Sequence, residues 1–544
     1  MSVRVTPADG VPTPEAPAGS VDPGHQGVEP SGPFAGRAGR IVLALTIVAV
    51  AAGLVLRFVT TSDLWLDEAL TVNIARRPLG DLVKLLRHDG APPLYYVLLH
   101  LWMRVFGGSD VATRALSGVI GVVAVALCWP AAAGLGGSDP ARRRWLGTTA
   151  VLVMATSAYA IRYSNEARMY MLEMALVLAG YLAMRAVLAR PTLGRLIGLG
   201  VVTAALLYTQ YWALYLVAVT GAGLVGAVVV ARRQAKPATA PSRALAAVAI
   251  GCLAFVPWVP TFVYQTTHTG TPWSRPSFPA SALDTALNGF AGGEHADAVV
   301  VELGFGVLVL LALFGVARSR WRVDLDLRTR PGARWEWFAW AATLALGMTV
   351  SFAAGSAFQD RYAAIVFPLF VVCVAYGIGT LGARSLRYGL LVVIVGSSLV
   401  GALRQVGEHR TQGGEIVAAV DESAEPGDVL AFCPDQLGPS GTRHLRADVE
   451  VGVFPGFRRA DIVDWVDYEQ RNTAADPEAF ARDLLTRAGP DHAIYFAYQP
   501  GYLTFGTSCE RIAAELARAR PDATALVAGD EEIFEPTALV RYGP

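Results

Sequence analysis

The stretch Asp63-Leu-Trp-Leu-Asp67-Glu68-Ala-Leu70 places two adjacent carboxylates directly after the first long apolar run of the chain, which begins at Ile41. A helix needs about 20 apolar residues to cross the hydrocarbon core of a bilayer, so this run predicts a membrane span. The acidic pair then lies where membrane meets water, and Trp65 fits an interfacial anchor. Acidic residues after a span are often only solvated charge. A carboxylate at this depth can also act as a general base, and adjacent helical side chains diverge, so at most one of the pair is expected to be the base.

The composition of the whole chain indicates a polytopic membrane protein. Of 544 residues, 53% are hydrophobic and 17% are charged, against about 25% charged in a typical soluble domain. The 45 basic and 45 acidic residues cancel, and the arginine clusters lie between apolar runs, so no nucleic-acid partner is expected. Eleven spans are predicted, in a mainly α-helical bundle. They cover residues 40–60, 113–134, 146–161, 168–188, 195–210, 212–231, 243–263, 298–317, 336–356, 361–382 and 387–404.

Basic residues between the apolar runs predict the orientation of this bundle. Five clusters fall on one side if the N-terminus is cytoplasmic, as the positive-inside rule requires. These clusters are Arg142 to Arg144, Arg190 with Arg195, Arg232 to Arg243, Arg318 to Arg334, and Arg384 with Arg387. The segments 61–112, 264–297 and 405–544 are therefore predicted to lie outside the cytoplasm of a multi-pass cell-membrane protein.

The two ends of the chain differ from the apolar middle, which covers residues 39–404. Residues 1–38 are rich in Pro, Gly, Ala and Ser and are predicted to form a disordered cytoplasmic tail. Residues 405–544 contain 24 acidic residues, 12 Arg and no Lys. Short β-like runs alternate there with helical stretches, which predicts an extracytoplasmic soluble α/β domain. The β-like runs are Asp428 to Phe432, His492 to Tyr498 and Ala525 to Ala528. The alternatives for Cys433 and Cys509 in this domain are a disulfide or two free buried thiols.

The first outer loop continues with an amphipathic stretch, Leu79 to Arg87, that is expected to lie on the membrane surface. His88 and Asp89 follow, and a pair of prolines then ends this helix before Tyr95. Tyr95 fits an aromatic interface belt as well as a binding site. His88 and Asp89 are less easily explained by packing. All three are candidate substrate-binding residues.

Three blocks of sequence resemble a known superfamily. They are Trp65-Leu-Asp67-Glu68-Ala with Pro92-Pro93-Leu-Tyr-Tyr and Phe106-Gly-Gly-Ser-Asp-Val-Ala-Thr-Arg114, then Arg162-Tyr-Ser-Asn-Glu166-Ala-Arg168-Met-Tyr170, then Gln359-Asp360-Arg361-Tyr362. In this order the blocks resemble the GT-C superfamily of glycosyltransferases that use polyprenyl-phosphate sugars. The nearest branch is similar to the family 39-like group of protein O-mannosyltransferases and aminoarabinose transferases. The resemblance implies a transmembrane catalytic domain over 39–404.

The resemblance also implies roles for the acidic pair. The first acid of the pair, Asp67, corresponds to the catalytic base, and Glu68 would support it. This chain has Ala91-Pro92-Pro93 where related chains often have His-Pro-Pro. Either His88 replaces that histidine or the contact is absent.

A polyprenyl phosphate donor requires cationic, preferably bidentate, partners. Three arginines lie at predicted outer ends of spans, against the positive-inside bias, and an ionisable group at membrane depth is a candidate functional residue. The alternative is that Arg162 or Arg168 pairs with Glu166 and that Arg361 pairs with Asp360. Two tyrosines could add hydroxyl donors. The candidate donor-phosphate residues are therefore Arg162, Arg168, Arg361, Tyr170 and Tyr362.

These residues predict inverting transfer of a mannose-like or arabinofuranose-like sugar to a hydroxyl on the outer membrane face. The expected partners are the polyprenyl-phosphate sugar, membrane lipids, and a protein, glycolipid or glycan acceptor. No cofactor is expected and no zinc-ligand spacing is present. Glu294, His295 and Asp297 could bind a cation, but a solvated loop is the preferred interpretation.

Two other classes of protein fit parts of the sequence. A multi-spanning transporter or flippase of lipid-linked or cell-envelope precursors would suit eleven spans, but it predicts broken helices and ionisable residues in mid-span. A non-catalytic protein that binds a wall polymer through residues 405–544 would give no reason for Asp67, Arg168 and Arg361.

Overall fold

A computed structural model describes residues 36–272, 274–293, 296–327 and 332–544. The predicted N-terminal tail up to residue 35 lies outside these residues, and so do Glu294 and His295. All contacts given below lie within Thr46–Pro544, the larger of the two compact units into which the chain divides.

The first half of the chain is helical. Its helices are α1 (Gly36–Leu56), α2 (Leu66–Ala75), α3 (Leu79–Asp89), α4 (Leu94–Phe106), α5 (Asp110–Ala133), α6 (Pro140–Thr156), α7 (Ala158–Ser164), α8 (Tyr170–Ala189), α9 (Leu193–Leu207), α10 (Ala213–Arg233), α11 (Thr239–Leu253), α12 (Val259–His268) and α13 (Pro279–Ala291). Helix α2 carries the acidic pair. Helix α3 is the predicted amphipathic helix, and it ends at Gly90 in the left-handed conformation that glycine adopts readily.

The helices continue with α14 (Ala296–Phe314), α15 (Arg334–Ala353), α16 (Phe367–Gly379) and α17 (Arg384–Gly407). Between α14 and α15 lies a two-stranded antiparallel hairpin of β1 (Gly315–Ala317) and β2 (Val323–Leu325). A short 3₁₀ turn, Asp360–Ile365, precedes α16.

Six helical segments of the described residues are long and apolar enough to cross a membrane. They are Gly39–Leu56, Asp110–Gly136, Tyr170–Ala189, Ala213–Arg233, Thr239–His268 and Arg384–Gly407. Four shorter apolar helices accompany them, at Leu94–Phe106, Leu193–Leu207, Val301–Phe314 and Phe367–Gly379. The protein is therefore a polytopic membrane protein with a mainly helical bundle.

Three of the eleven predicted spans are not continuous helices. The predicted span 146–161 breaks at Ser157, whose hydroxyl accepts from the backbone N–H of Ala160 and so caps a new helix. The span 243–263 contains Pro257 and Pro260, which separate α11 from α12. The span 361–382 opens with the 3₁₀ turn, and Pro368 lies at the start of α16. Hydropathy alone does not reveal such breaks.

The C-terminal part contains a five-stranded sheet and five further helices. The helices are α18 (Gly413–Ser423), α19 (Gly438–Gly441), α20 (Tyr468–Thr473), α21 (Pro477–Ala488) and α22 (Ser508–Ala519), and the strands are β3 (Val429–Cys433), β4 (Glu450–Val453), β5 (Ile494–Tyr498), β6 (Ala523–Val527) and β7 (Ala538–Tyr542). The strand order is β4-β3-β5-β7-β6. The pairs β4–β3 and β3–β5 are parallel, whereas β7 runs antiparallel to both of its neighbours.

Successive side chains of a strand point to opposite faces of the sheet, and both faces of this sheet are covered. Ala431 and Phe496 on one face join the same apolar core as the membrane helices. Phe432 and Tyr495 on the other face pack with α18 in a second cluster. A disulfide joins Cys433, at the end of β3, to Cys509 in α22. The sheet is thus packed against the helical bundle rather than attached through a linker.

Candidate active site

Asp67 and Glu68 lie in the first turn of α2, at the end of the bundle that packs against the C-terminal sheet. Trp65 is the N-cap residue of this helix and supplies no side-chain cap. The side chain of Asp67 is 15% exposed, whereas that of Glu68 is wholly buried. Successive helical residues point in different directions, which is why one acid faces an opening and the other faces the core.

The Asp67 carboxylate is shared by two arginines from distant parts of the chain. Its Oδ2 atom lies 3.4 Å from Arg361 Nη1 and 3.6 Å from Arg168 Nη2. Two positive charges therefore surround one negative charge in a largely buried setting. The structure brings together the three residues on which the sequence-based hypothesis depends.

Arg168 lies in the turn between α7 and α8. Its Nη1 atom donates to the hydroxyl of Thr71 at 2.8 Å and to the backbone carbonyl of Asp67 at 3.3 Å. Its Nε atom is buried and has no hydrogen-bond acceptor among the described residues. The guanidinium group is thus fixed by α2 while one of its N–H groups remains unused.

Arg361 lies in the 3₁₀ turn before α16. Its backbone N–H donates to the carboxylate of Asp360 at 2.8 Å. The guanidinium carbon lies 5.7 Å from the ring centre of Trp65 and 5.8 Å from that of Tyr362. These aromatic faces favour a cation at this position. The alternative that Arg361 forms a side-chain salt bridge with Asp360 is not what the structure shows, because its guanidinium group faces Asp67.

Glu68 forms a different kind of contact, which we name the Glu68 clamp. Arg114 donates to both carboxylate oxygens, at 2.8 and 2.6 Å, and the backbone N–H of Ala167 donates to Oε1 at 2.9 Å. Arg114 also donates to the backbone carbonyls of Ser62 and Asp63. The clamp therefore joins α2, α5 and the turn that carries Arg168.

Arg162 is the arginine for which the salt-bridge alternative holds. It lies 3.5 Å from a carboxylate oxygen of Glu166 and 3.5 Å from one of Asp360. Glu166 is buried and also pairs with Arg410 at 2.6 Å. Asp360 accepts a hydrogen bond from the hydroxyl of Tyr163 at 3.1 Å. Arg162 thus belongs to an ion-pair network next to Asp67, Arg168 and Arg361, which we name the Asp67 pocket.

The two predicted tyrosines flank the arginines with their rings. Tyr170 is buried, packs edge-on against Tyr163 at 5.0 Å, and lies 5.8 Å from the guanidinium carbon of Arg168. Tyr362 stacks on Trp212 at 5.8 Å between ring centres. Both rings help to hold the arginine side chains in place.

The three candidate substrate-binding residues occupy three different settings. Asp89 accepts a hydrogen bond from the hydroxyl of Tyr96. Burial raises the pKa of the Asp89 carboxyl above its ordinary value, although nearby Arg168 opposes this shift. Tyr95 is buried and its hydroxyl contacts that of Ser117 at 2.8 Å, behind the backbone of Arg168. His88 pairs with Asp464 of the C-terminal region at 2.8 Å.

Four residues that shape this site were not predicted from the sequence: Arg114, Asp360 in its role toward Arg162, Arg410 and Glu535. Arg114 lies within a quoted motif and opposes the positive-inside bias, so a signal was present. Arg410 and Glu535 lie in the C-terminal region and reach the site only through tertiary packing. Glu294 and His295 lie outside the described residues.

The overall architecture can be compared with known proteins. No family model matches the sequence and no curated protein matches it. The crystal structure of ArnT from Cupriavidus metallidurans in the apo state superimposes with a TM-score of 0.53 at 13% identity, covering 93% of this chain and 99% of that one. The chain shares the overall fold of this ArnT structure.

Two further solved structures are similar at lower scores. ArnT from Cupriavidus metallidurans bound to undecaprenyl phosphate gives a TM-score of 0.48 at 12% identity, covering 94% of this chain and all of that one. The apo oligosaccharyltransferase of Archaeoglobus fulgidus gives 0.48 at 10% identity, covering 87% and 72%. At these identities the likeness is one of fold, and the chemistry has to be argued from the residues of the site itself.

Proposed function

We propose that this protein is an inverting membrane glycosyltransferase that moves a sugar from a polyprenyl phosphate to a hydroxyl acceptor. The observation that carries the proposal is the sharing of the Asp67 carboxylate between Arg168 and Arg361. The GT-C fold, shared with ArnT of Cupriavidus metallidurans, supports the same class of reaction.

The two arginines suit the phosphate of the donor. A phosphate oxygen can replace the Asp67 carboxylate as their partner, because guanidinium groups bind carboxylate and phosphate in similar geometry. The unused Nε of Arg168 offers a further donor. Binding of the donor would thereby release Asp67 toward the acceptor.

Asp67 is the proposed general base. The acceptor hydroxyl gives its proton to the carboxylate while its oxygen forms a bond to the anomeric carbon. The bond between that carbon and the phosphate oxygen breaks, and its electron pair leaves with the polyprenyl phosphate. Attack opposite the leaving group inverts the anomeric configuration.

Arg168 and Arg361 also stabilise the leaving group. The phosphodiester donor carries one negative charge, and the departing phosphomonoester carries a second as the bond breaks. Fixed cations that face charge as it develops lower the barrier to reaction. The Glu68 clamp holds the turn that carries Arg168 against α2. Glu68 therefore has a supporting role.

The proposal places the active site and residues 405–544 on the extracytoplasmic face. The five basic clusters support this orientation through the positive-inside rule. The disulfide between Cys433 and Cys509 supports it independently, because disulfides persist in oxidising compartments. Residues 39–404 would then form the catalytic domain. Mannose-like and arabinofuranose-like donors, and protein, glycolipid or glycan acceptors, all fit this chemistry.

Asp67→Asn is the variant that tests the proposal. Radiolabelled polyprenyl-phosphate mannose and polyprenyl-phosphate arabinofuranose are supplied to purified protein together with membrane fractions as acceptor. We expect label transfer by the wild-type protein and a fall in kcat of about 10²- to 10⁴-fold in the variant, because amide nitrogen and oxygen cannot take the proton.

The matched control is Asp81→Asn, which removes an exposed carboxylate from α3 in the same loop. It should transfer label within about 2-fold of wild type, since surface substitutions are usually close to neutral. The melting temperature of Asp81→Asn should match wild type, and a cooperative melting transition of Asp67→Asn would show that this variant is folded. Undiminished transfer by Asp67→Asn would end the assignment of Asp67 as base.

A further inference from the structure

The helix that carries Asp67 is capped by a residue from the far end of the chain. The backbone N–H of Leu66, the first residue of α2, donates to Glu535 Oε1 at 2.8 Å. The N-cap residue Trp65 supplies no side-chain acceptor, so this N–H has its partner in Glu535. An oxygen acceptor at a helix N-terminus satisfies one of the unpaired N–H groups there.

Glu535 is itself held in place by its surroundings. It is 6% exposed, and its backbone N–H donates to the carbonyl of Arg410 at 2.9 Å. The neighbouring Phe534 packs edge-on against Trp65 with 5.4 Å between ring centres. Arg410, which precedes α18, also pairs with Glu166 in the turn that carries Arg168. The connection before β7 therefore contacts the start of α2 directly and reaches the Arg168 turn through Arg410.

The charges around Glu535 favour its neutral form. Burial raises the pKa of the Glu535 carboxyl to about 8, with Asp67 and Glu68 adding to the shift. The hydrogen bonds from Leu66 and from the hydroxyl of Thr411 oppose it. Tyr502 is a further titratable group near this carboxyl. Oε2 is buried and has no hydrogen-bond partner among the described residues.

We infer that Glu535 is a positioning residue for Asp67, supplied by the C-terminal sheet region. It fixes the start of α2, and it does so without adding a third negative charge beside Asp67 and Glu68. The inference rests on the proposed function for its effect on transfer, whereas its effect on α2 can be measured separately. The C-terminal region is then part of the catalytic machinery and not a separable attachment.

Glu535→Ala and Glu535→Gln separate the two parts of the inference. The alanine variant loses the cap, which is worth roughly 1 kcal/mol, so we expect kcat for transfer to fall about 5-fold. The donor KM should stay within about 2-fold. Hydrogen exchange at the amides of residues 66–70 should accelerate. The glutamine variant keeps an acceptor oxygen and should retain most of the activity and the slow exchange.

The pH dependence distinguishes a neutral cap from an ionised one. Because the folded-state pKa of Glu535 lies above its unfolded value, the wild type loses stability relative to Glu535→Gln as pH rises from about 5 to 8. The melting temperature of wild type minus that of Glu535→Gln should fall over this window and then level off. Wild-type transfer should decline above pH 8, and Glu535→Gln should lack that decline.

Glu532→Gln is the control, because it removes an exposed carboxylate from the same connection. It should match wild type in all three measurements. Wild-type transfer and unchanged exchange in Glu535→Ala would overturn the inference. If the wild type transfers no sugar yet Glu535→Ala still accelerates exchange in α2, the proposed function fails while the positioning of α2 by Glu535 stands.

Discussion

The Asp67 pocket and the Glu68 clamp begin from adjacent residues of one helix but differ in how carboxylate meets arginine. In the clamp, Glu68 and Arg114 form two hydrogen bonds of 2.6 to 2.8 Å, and the carboxylate is wholly buried. In the pocket, one oxygen of Asp67 lies 3.4 and 3.6 Å from two arginines, and the side chain is partly exposed. Short, saturated contacts stabilise the scaffold, whereas longer, shared contacts leave groups that a ligand can recruit.

Glu68→Gln should produce the largest effect, and it should be an effect on stability. The substitution removes the charge that balances Arg114, which is 7% exposed and cannot reach water without disrupting the bundle. Removal of one partner from a buried ion pair costs about 3–5 kcal/mol. We expect a loss of about 3 kcal/mol in the free energy of unfolding, measured by thermal or denaturant unfolding of the purified protein.

The double variant Glu68→Leu with Arg114→Leu is the matched control for this prediction. It removes both charges at once, and replacement of a buried pair by apolar residues is often close to neutral. It should therefore be more stable than the single variant. A Glu68→Gln protein as stable as wild type but inactive would break the comparison, because Glu68 would then belong to the reacting groups.

Arg168→Lys and Arg361→Lys should produce a smaller effect, which a measurement of donor binding detects directly. Lysine keeps the charge but loses the planar fork that binds phosphate through two N–H groups. Hydrogen bonds to charged groups contribute about 1.5–3 kcal/mol, so we expect Kd for polyprenyl phosphate to rise about 10- to 100-fold. Fluorescence or calorimetric titration of the purified protein with polyprenyl phosphate would measure this.

Arg511→Lys supplies the comparison for these two variants. Arg511 pairs with Glu478 at 2.6 Å on the surface of the C-terminal region, with half of its side chain exposed. The Arg511→Lys variant should bind polyprenyl phosphate as tightly as the wild-type protein does. Equal affinity in Arg168→Lys, Arg361→Lys and wild type would show that the pocket does not hold the donor phosphate.

The convergence of Asp67, Arg168 and Arg361 was predictable because each residue carries a local signal. Asp67 follows a span, and the two arginines oppose the positive-inside bias at the ends of other spans. Residues at helix ends on the same side of a bundle lie close to one another. The separate fates of Asp67 and Glu68 also follow from helical geometry, although which acid faces the core depends on Arg114.

The contributions of the C-terminal region were not predictable in the same way. Glu535 and Arg410 contact the site through packing of a loop and a helix end, and acidic residues in that region are numerous. Strands β4 and β7 also escaped prediction. β4 is only Glu450–Val453 and contains a glycine, and β7 follows soon after Pro536. Short strands between turns carry little periodic signal.

His88→Ala should produce the smallest effect and tests where the Asp67 pocket ends. His88 pairs with Asp464 at 2.8 Å, and the two side chains are 40% and 34% exposed. An exposed pair of this kind contributes at most about 1 kcal/mol, so we expect transfer within about 2-fold of wild type and a slightly lower melting temperature. Asp464→Asn removes the same pair from the other side and should behave alike. If His88→Ala lost transfer at least about 10-fold while Asp464→Asn did not, His88 would act on the substrate and the pocket would extend to the end of α3.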